Sequence, residues 1–167
     1  MKSFVLGFLV TVVLLPAALI GYLRLGLADV HADVNVPAWQ GRLIHFAERA
    51  SVGRRAAGLR SPLAHTDAEL IAGGTLYMNG CAGCHGKPGR PPRTRPWFLA
   101  PTQLAHVTTR YSEPEAYWVI RHGLRRTGMY SSATFYSDRQ IWMLAAFVKR
   151  LTDLPPPVLA AIQPKKQ

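Results

Sequence analysis

The sequence predicts an all-α protein, and three observations support this fold class. Residues 4 to 23 form an apolar run without a charged residue. Three later stretches, which begin near Thr66, Glu113 and Ser137, combine helix-capping residues with apolar residues at helical spacing. Helical patterns also flank the motif Cys81-Ala82-Gly83-Cys84-His85. The 167 residues are enough for one helical domain with appendages.

The apolar run has the length of a membrane span. About 20 helical residues cover about 30 Å, the thickness of the hydrocarbon core of a bilayer. Lys2 precedes the run, and Tyr22 and Arg24 close its far end at the depth of the membrane interface. We therefore expect residues 1–28 to be a retained transmembrane anchor.

The alternative for this segment is a cleaved secretory signal. Small residues at Ala28 and Ala32 offer cleavage sites for such a signal. The apolar run is longer than the usual signal core, however, and Pro16 lies inside it rather than at a cleavage site. These two features favour the anchor.

Residues 29–65 are predicted to connect the anchor to the domain. After Pro37 we expect a helix from Ala38 to about Ala50. Its apolar face can cover the protein's own domain, lie on the lipid surface or pack against a partner subunit. That face consists of Trp39, Leu43, Phe46 and Ala47. The arginine-containing stretch that follows, up to Pro62, is predicted to be a linker and contains Arg54, Arg55 and Arg60.

The domain itself is predicted to cover residues 66–154. Thr66 and Glu69 form a capping box for a helix that continues to about Met78. Gly73 in this helix suits the close approach of another helix. The loop 86–101 contains five prolines and two glycines, which predicts little regular structure.

Two further helices complete the predicted domain. One starts at Ser112 or Glu113 and extends to about His122, where Gly123 ends it. Ser137 caps the other, which is expected from Ile141 to Leu151. Prolines after this helix predict that residues 155–167 form a basic tail that contains Lys165 and Lys166.

The Cys81–His85 motif has the spacing for covalent attachment of a c-type haem. On one helical turn, Cys81 and Cys84 can form thioethers with the two vinyl groups of a single porphyrin. His85 then lies where its imidazole can take the proximal iron position. Because haem is attached to this motif outside the cytoplasm, we expect the domain to be exported.

Two other uses of a close cysteine pair fit this sequence less well. A zinc site needs two more Cys or His ligands at finger-like spacing, and the chain has no other cysteine. A thioredoxin-like redox pair belongs in a βαβ setting, whereas the flanking residues here have helical patterns.

The charge of the chain limits the class of partner. Twenty Lys and Arg residues against nine Asp and Glu give a formal net charge of +11. Such a balance favours acidic protein surfaces or anionic lipid, and nucleic acid is the weakest option because no nucleic-acid-binding motif accompanies the charge. The basic residues that flank the motif and the later loop are candidates for steering an acidic partner: Lys87, Arg90, Arg93, Arg95, Arg121, Arg125 and Arg126.

A second axial ligand has four candidates after the motif. These are His106, His122, Met129 and Met143. Met143 belongs to the last predicted helix, where methionine usually packs in the core. Met129 lies in an irregular segment of small residues between two helices, where a thioether can fold over the ring. Met129 is therefore favoured, with His122 as the second choice.

These residues together resemble the class I cytochrome c family over roughly residues 66 to 155. The resemblance rests on Gly73 and Tyr77 before the Cys-x-x-Cys-His motif, on Ile120-Arg121-His122-Gly123 and Thr127-Gly128-Met129, and on Ser137-Asp138-x-x-Ile141-Trp142. Membrane-anchored, single-haem periplasmic cytochromes of bacteria are the most similar type. The fold implied is an all-α class I domain around one covalent haem, preceded by a transmembrane helix and an amphipathic linker helix.

The resemblance also implies roles for the site residues. Cys81 and Cys84 carry the thioethers, and His85 and Met129 are the axial ligands of the iron. The Pro101 carbonyl accepts a hydrogen bond from the proximal imidazole, which would fix the tautomer of that ring.

The packing of the domain and one departure from the family follow from the same resemblance. Gly73 and Tyr77 are implied to meet the terminal helix near Trp142, Ala145 and Ala146. The sequence departs from the family at Tyr130, which stands in place of the proline that usually follows the distal methionine. The loop that carries Met129 is therefore expected to be looser than is usual in the family.

The function implied is transfer of single electrons through a His/Met-ligated haem, without catalysis by this chain. The protein is expected to be either a free carrier or an electron-transfer subunit of a respiratory or photosynthetic complex. Its expected partners are redox proteins with acidic docking surfaces, subunits of such a complex, and membrane lipid at the N-terminal helix. The expected location is the bacterial inner membrane, single pass, with the haem domain on the periplasmic side. The alternative is a gas-binding or peroxidase-like haem protein with an open distal position.

Overall fold

The structure of the chain is a computed structural model, and it describes residues 1–28, 37–92, 100–125 and 127–163. These residues contain seven α-helices and no strand, so the all-α prediction is confirmed for the described part of the chain. Some predicted features lie outside the described residues, namely segment 29–36 with Ala32, the arginines at 93, 95 and 126, and the lysines at 165 and 166.

The chain divides into two compact units, Met1–Val34 and Asn35–Gln167. The first unit contains helix α1, Lys2–Arg24, which includes the whole of the predicted apolar run. None of its residues is buried, and it is long and apolar enough to cross a membrane. Arg24 in the last turn suits the negative end of the helix dipole.

Helix α2, Ala38–Ala56, opens the second unit and is longer than predicted. The prediction that Arg54 and Arg55 belong to a linker is wrong, because both lie in the last turn of α2. Val52 and Ala56 are buried in this part of the helix, where α2 packs against the later helix α5. Burial of this apolar pair stabilises a helical segment whose sequence pattern alone is weak.

Capping residues start three helices of the second unit as predicted. These helices are α3, Asp67–Gly80; α5, Glu113–His122; and α6, Asp138–Arg150. In each, the side chain of the N-cap residue accepts the N3 backbone N–H and the N3 side chain accepts the N-cap N–H. The pairs are Thr66 with Glu69, Ser112 with Glu115, and Ser137 with Gln140.

Helices α3 and α6 cross in close contact at Gly73. A Cβ atom placed at Gly73 would lie 2.2 Å from the carbonyl oxygen of Met143, so only glycine fits here. Phe147 packs at the same crossing, where its ring centroid lies 5.4 Å from that of Tyr77. The resemblance implies this crossing near Trp142, Ala145 and Ala146, and the groups nearest to Gly73 are the Met143 carbonyl and Phe147, beside those residues in α6. Helix α6 contributes more buried residues to the core than any other described helix.

The predicted C-terminal tail contains a helix, so the prediction of a tail is wrong for this segment. Helix α7, Pro156–Ile162, follows directly after Pro155. Val158 and Ile162 are buried one turn apart, and the Ile162 side chain reaches Gly74 of α3. Proline suits the first turn of a helix, where no intrahelical partner for its missing N–H is required.

We predict that Gly73→Ala lowers the free energy of unfolding by about 2–3 kcal/mol, because the new methyl group meets a backbone oxygen that cannot rotate away. Gly41→Ala is the matched control, since a Cβ at Gly41 in α2 meets nothing within 4 Å. The control should be neutral or slightly stabilising. Denaturant unfolding of the detergent-solubilised chain, followed by far-UV circular dichroism, measures both. Equal stability of the two variants would contradict the close crossing.

Candidate functional site

The cysteine motif forms a short helical turn directly after α3. Helix α4, Ala82–His85, is held by the N–H groups of Cys84 and His85, which both donate to the Cys81 carbonyl at 3.1 and 2.9 Å. Gly86 ends the turn with φ of +89°, a conformation that favours glycine. Both thiols are free, with Cys81 half-buried and Cys84 exposed. The two sulfurs and the imidazole therefore belong to one rigid turn.

The environment of Cys81 does not generate a reactive thiolate. Burial, together with the neighbouring Cys84, raises the pKa of the Cys81 thiol to about 11. Redox-active cysteine pairs have thiol pKa values below the ordinary value. This difference disfavours the thioredoxin-like alternative for the pair.

The His85 ring is oriented by a backbone carbonyl. Its Nδ1 lies 2.9 Å from the carbonyl oxygen of Thr102, to which it donates in the tautomer with the proton on Nδ1. The predicted acceptor, Pro101, is one residue earlier, and its carbonyl instead accepts a bond of 3.2 Å from Gln103 Nε2. The prediction is thus wrong by one residue, because the chain turns so that the next carbonyl faces the ring. With Nδ1 engaged, Nε2 is the nitrogen available to a metal.

Gln103 and Tyr77 fasten the motif to the rest of the domain. Gln103 Nε2 also donates to the Cys84 carbonyl at 2.9 Å, which ties the later loop to the turn. The buried Tyr77 hydroxyl lies 2.8 Å from the Gly86 carbonyl and 3.2 Å from the His85 carbonyl. Burial, with a smaller contribution from Cys81, raises the pKa of the Tyr77 phenol, so Tyr77 remains a hydrogen-bond donor.

Met129 is half-buried against the core, and its backbone is bonded on both sides. Its N–H donates to Thr127 Oγ1 at 3.0 Å, and its carbonyl accepts the Leu124 N–H at 3.0 Å. Gly123 packs directly on this segment, since a Cβ there would lie 2.5 Å from the Met129 carbonyl oxygen. The φ of +68° at Gly123 also favours glycine.

Tyr136 connects the segment after Met129 with the end of α3. Its hydroxyl lies over Gly80, where a Cβ would be 2.7 Å away. Burial first, and then the nearby Cys81 and Tyr130, raise the pKa of the Tyr136 phenol. Residues from the Met129 segment onward therefore return to the region where the cysteine motif begins.

The three other candidate ligands have different surroundings. The His122 ring lies on Trp118, with a centroid separation of 4.8 Å, and Arg55 of α2 is 5.9 Å from the Trp118 ring centroid. Burial, Arg121 and Arg55 lower the pKa of His122. His106 is exposed in the loop after the motif, and Met143 belongs to the crossing of α6 with α3.

Only part of the predicted basic group is available to a partner. Arg121 forms an ion pair with Asp138 and donates to the Tyr117 hydroxyl at 3.4 Å, so its charge is compensated within the domain. Lys87, Arg90 and Arg125 are exposed. The segments that flank the site on both sides thus present positive charge to solvent.

The donor set of this site fits a covalent haem. It offers two free thiols on one turn, an imidazole with Nε2 available, and a half-buried thioether on a fixed segment. Among the described residues there is no group of three or more His, Cys, Asp or Glu side chains placed to hold a metal ion by themselves. A porphyrin would complete the coordination that these residues alone do not provide.

Comparison with known proteins finds a family model that matches the domain. Residues 68–148 match the family model described as cytochrome c oxidase, cbb3-type, subunit III. The matched range includes the cysteine motif and Met129 and contains helices α4 and α5 in full. Neither a curated protein nor a solved structure shows a significant match to the chain.

Sequence reasoning missed several contributors to the site, among them Thr102, Gln103 and the hydroxyl of Tyr77. Thr102 acts through its carbonyl, which every residue has, so its side-chain type gives no signal. The resemblance implies only that Tyr77 packs on the terminal helix, yet its hydroxyl also reaches the motif. A tyrosine eight residues before His85, in a helix that leads into the motif, is a signal that could have indicated this bond.

We predict that Tyr77→Phe lowers the free energy of unfolding by about 1–3 kcal/mol, because the buried Gly86 carbonyl loses its donor. Tyr130→Phe is the matched control, since the Tyr130 ring is 64% exposed. The control should change stability by less than about 0.5 kcal/mol. Chemical unfolding in detergent compares the two variants, and an equal effect would show that the Tyr77 hydroxyl has no structural role.

Proposed function

Because residues 68–148 form a c-type cytochrome domain, which carries a covalent haem c, we propose that this chain transfers single electrons as a membrane-tethered protein. The observation that supports this most is the Cys81–His85 turn, in which the His85 Nδ1 is engaged by Thr102 and Nε2 is left for iron. Such an orientation of a ligand histidine by a carbonyl is typical of metal sites in proteins. The chain itself needs no catalytic residue for this role.

Haem c, when bound, supplies an iron that alternates between the ferric and ferrous states. In our proposal Cys81 and Cys84 hold the porphyrin through thioethers, and His85 is the proximal ligand. Thr102 keeps the imidazole in one orientation, because the donated Nδ1 proton fixes both its tautomer and its rotation. Tyr77 and Gln103 limit movement of the turn, which keeps the ligand geometry constant.

We further propose that Met129 is the distal ligand. The bonds from its backbone to Thr127 and Leu124, and the close packing on Gly123, support a fixed position for its side chain. These contacts offer an alternative to the missing proline at position 130 as a source of loop rigidity. A methionine ligand favours the reduced iron more than a second histidine does.

The Met129 proposal predicts that Met129→Leu abolishes the near-infrared charge-transfer band of the oxidised protein, because leucine cannot bind iron. The reduced variant should bind carbon monoxide rapidly, whereas the parent should not. Met143→Leu is the matched control, since Met143 is also a half-buried methionine of the same domain. The control should keep the band and resist carbon monoxide.

The opposite result would show that Met129 is not the distal ligand. If the Met129→Leu variant keeps the spectrum of the parent and the parent itself binds carbon monoxide, the distal position is open. That outcome would support the gas-binding or peroxidase-like function instead of electron transfer. Covalent haem attachment is measured separately, by the mass of the denatured protein, and does not depend on Met129.

We propose that α1 is retained as a single-pass anchor in the bacterial inner membrane, with the domain on the periplasmic side. The length and apolar character of α1 support a span. Attachment of haem to the cysteine motif takes place outside the cytoplasm, which supports the periplasmic side.

The family match favours an electron-transfer subunit of a membrane oxidase over a free carrier. Exposed Lys87, Arg90 and Arg125 support a redox partner with an acidic docking surface.

Purification in mild detergent at low ionic strength should therefore yield a stoichiometric companion that dissociates as salt is raised. Lys87→Gln combined with Arg90→Gln should lower the salt needed for dissociation, and Lys2→Gln is the control. Recovery of the chain alone at every ionic strength would indicate a free carrier.

A further inference from the structure

The first half of α2 presents an apolar stripe to solvent. The residues of this stripe follow one another at intervals of four, three and four positions. They therefore lie on one side of the helix, which turns about 100° per residue. The stripe consists of Trp39, Leu43, Phe46 and Ala50. Its three large side chains are 59%, 60% and 73% exposed, in chain order. Of the three arrangements that the sequence left open for this face, packing on the protein's own domain is thus excluded in this structure.

The opposite side of α2 is the one that packs on the domain. Glu48 accepts a hydrogen bond from the Tyr111 hydroxyl, and Val52 is 1% exposed. Near the end of the helix, Arg55 reaches the Trp118 ring. These contacts fix the orientation of α2 on the domain, so the stripe is held outward rather than free to turn inward.

The charges around the stripe are almost all positive. The helix contains four arginines and one acidic residue, Glu48. Glu48 lies on the side of α2 that packs on the domain, where it accepts the Tyr111 hydroxyl, so no acidic side chain of α2 lies on the side of the stripe, near which Arg42, Arg49 and Arg54 are exposed. A second copy of this helix laid against the stripe would bring like charges together, which disfavours self-association.

The stripe cannot move far from the membrane that α1 crosses. Thirteen residues, 25 to 37, separate the end of α1 from the start of α2. Fully extended, such a segment covers at most about 45 Å. A tether of this length keeps the effective concentration of the stripe at the bilayer surface high, so even weak binding becomes populated.

We propose that the Trp39–Ala50 stripe binds the surface of the bilayer that contains α1, with anionic lipid headgroups at the flanking arginines. This inference rests on retention of α1, which is part of the proposed function. An exposed apolar stripe bordered by arginines is the pattern of helices that lie in a membrane interface, with Trp39 at headgroup depth. The bound helix would hold the cytochrome domain at the membrane surface through its contacts with α5.

The test uses full-length, haem-loaded protein in vesicles of phosphatidylcholine with phosphatidylglycerol. Phe46→Cys introduces a thiol on the stripe, and His45→Cys places one on the neighbouring residue, which is exposed but lies off the stripe. The chain's own two cysteines are consumed by the haem, so a nitroxide label attaches only at the new position, and the parent should take none. Collisions of the label with oxygen and with a water-soluble nickel chelate report its depth.

We expect the label at position 46 to be accessible to oxygen and shielded from the nickel chelate, and the label at 45 to be accessible to the chelate. Shielding at 46 should weaken in vesicles of phosphatidylcholine alone, and also after Arg42→Gln and Arg49→Gln are combined. A label at 46 that meets the chelate as readily as the label at 45 would overturn the proposal. Shielding from both reagents would also overturn it, since that result indicates cover by protein.

Flotation of the same vesicles separates this inference from the proposed anchor. Protein that floats while the label at 46 remains in water contradicts lipid binding by the stripe only. Protein that does not float at all would show that α1 is not an anchor. The proposed anchor and the proposed lipid binding by the stripe would then both be wrong.

Discussion

The backbone contact between α3 and α6 at Gly73 is the constraint on which the domain depends. No side chain separates the two helices there, because the carbonyl of Met143 occupies the space a Cβ would need. The crossing fixes the direction in which α3 runs toward the cysteine motif. One turn later, Tyr77 packs on Phe147 of α6, and its hydroxyl reaches the carbonyls of His85 and Gly86 at the end of the motif. A single close contact thus determines both the core and the position of the turn that carries the cysteines.

Helix ends close to the site were predictable because local chemistry determines them. The three capping boxes need only residues within four positions of each other: the one at Thr66 is predicted as a box, and the other two start at or next to residues that the sequence indicates as N-caps. The cysteine motif is likewise local, since its spacing alone sets the two thiols and the imidazole on one turn. Features of this kind depend little on the rest of the fold.

The errors in the sequence-based prediction concern long-range packing. The end of α2 is helical because Val52 and Ala56 are buried on α5, which the arginines of that segment do not reveal. Helix α7 exists because Val158 and Ile162 have a place against α3, although a run of prolines alone favours the end of regular structure. The choice of Thr102 as the acceptor depends on how the chain turns as it approaches the His85 ring. Each of these outcomes needs three-dimensional information that a local pattern does not contain.

The distribution of charge gives the large positive excess a more specific meaning. Arg121 and Arg139 are paired with Asp138 and Glu69, so part of the basic group joins helices and does not face a partner. Among the other described cations, one set lies near the motif and the distal segment (Lys87, Arg90 and Arg125) and another lies along α2 (Arg42, Arg49 and Arg54). The first set suits an acidic protein, because it lies in segments next to the proposed ligands. The second set borders an apolar stripe, and charge beside an exposed apolar surface suits a lipid interface better than a polar docking surface. In our proposals, the positive charge of the chain would therefore serve two different contacts, one with protein and one with lipid.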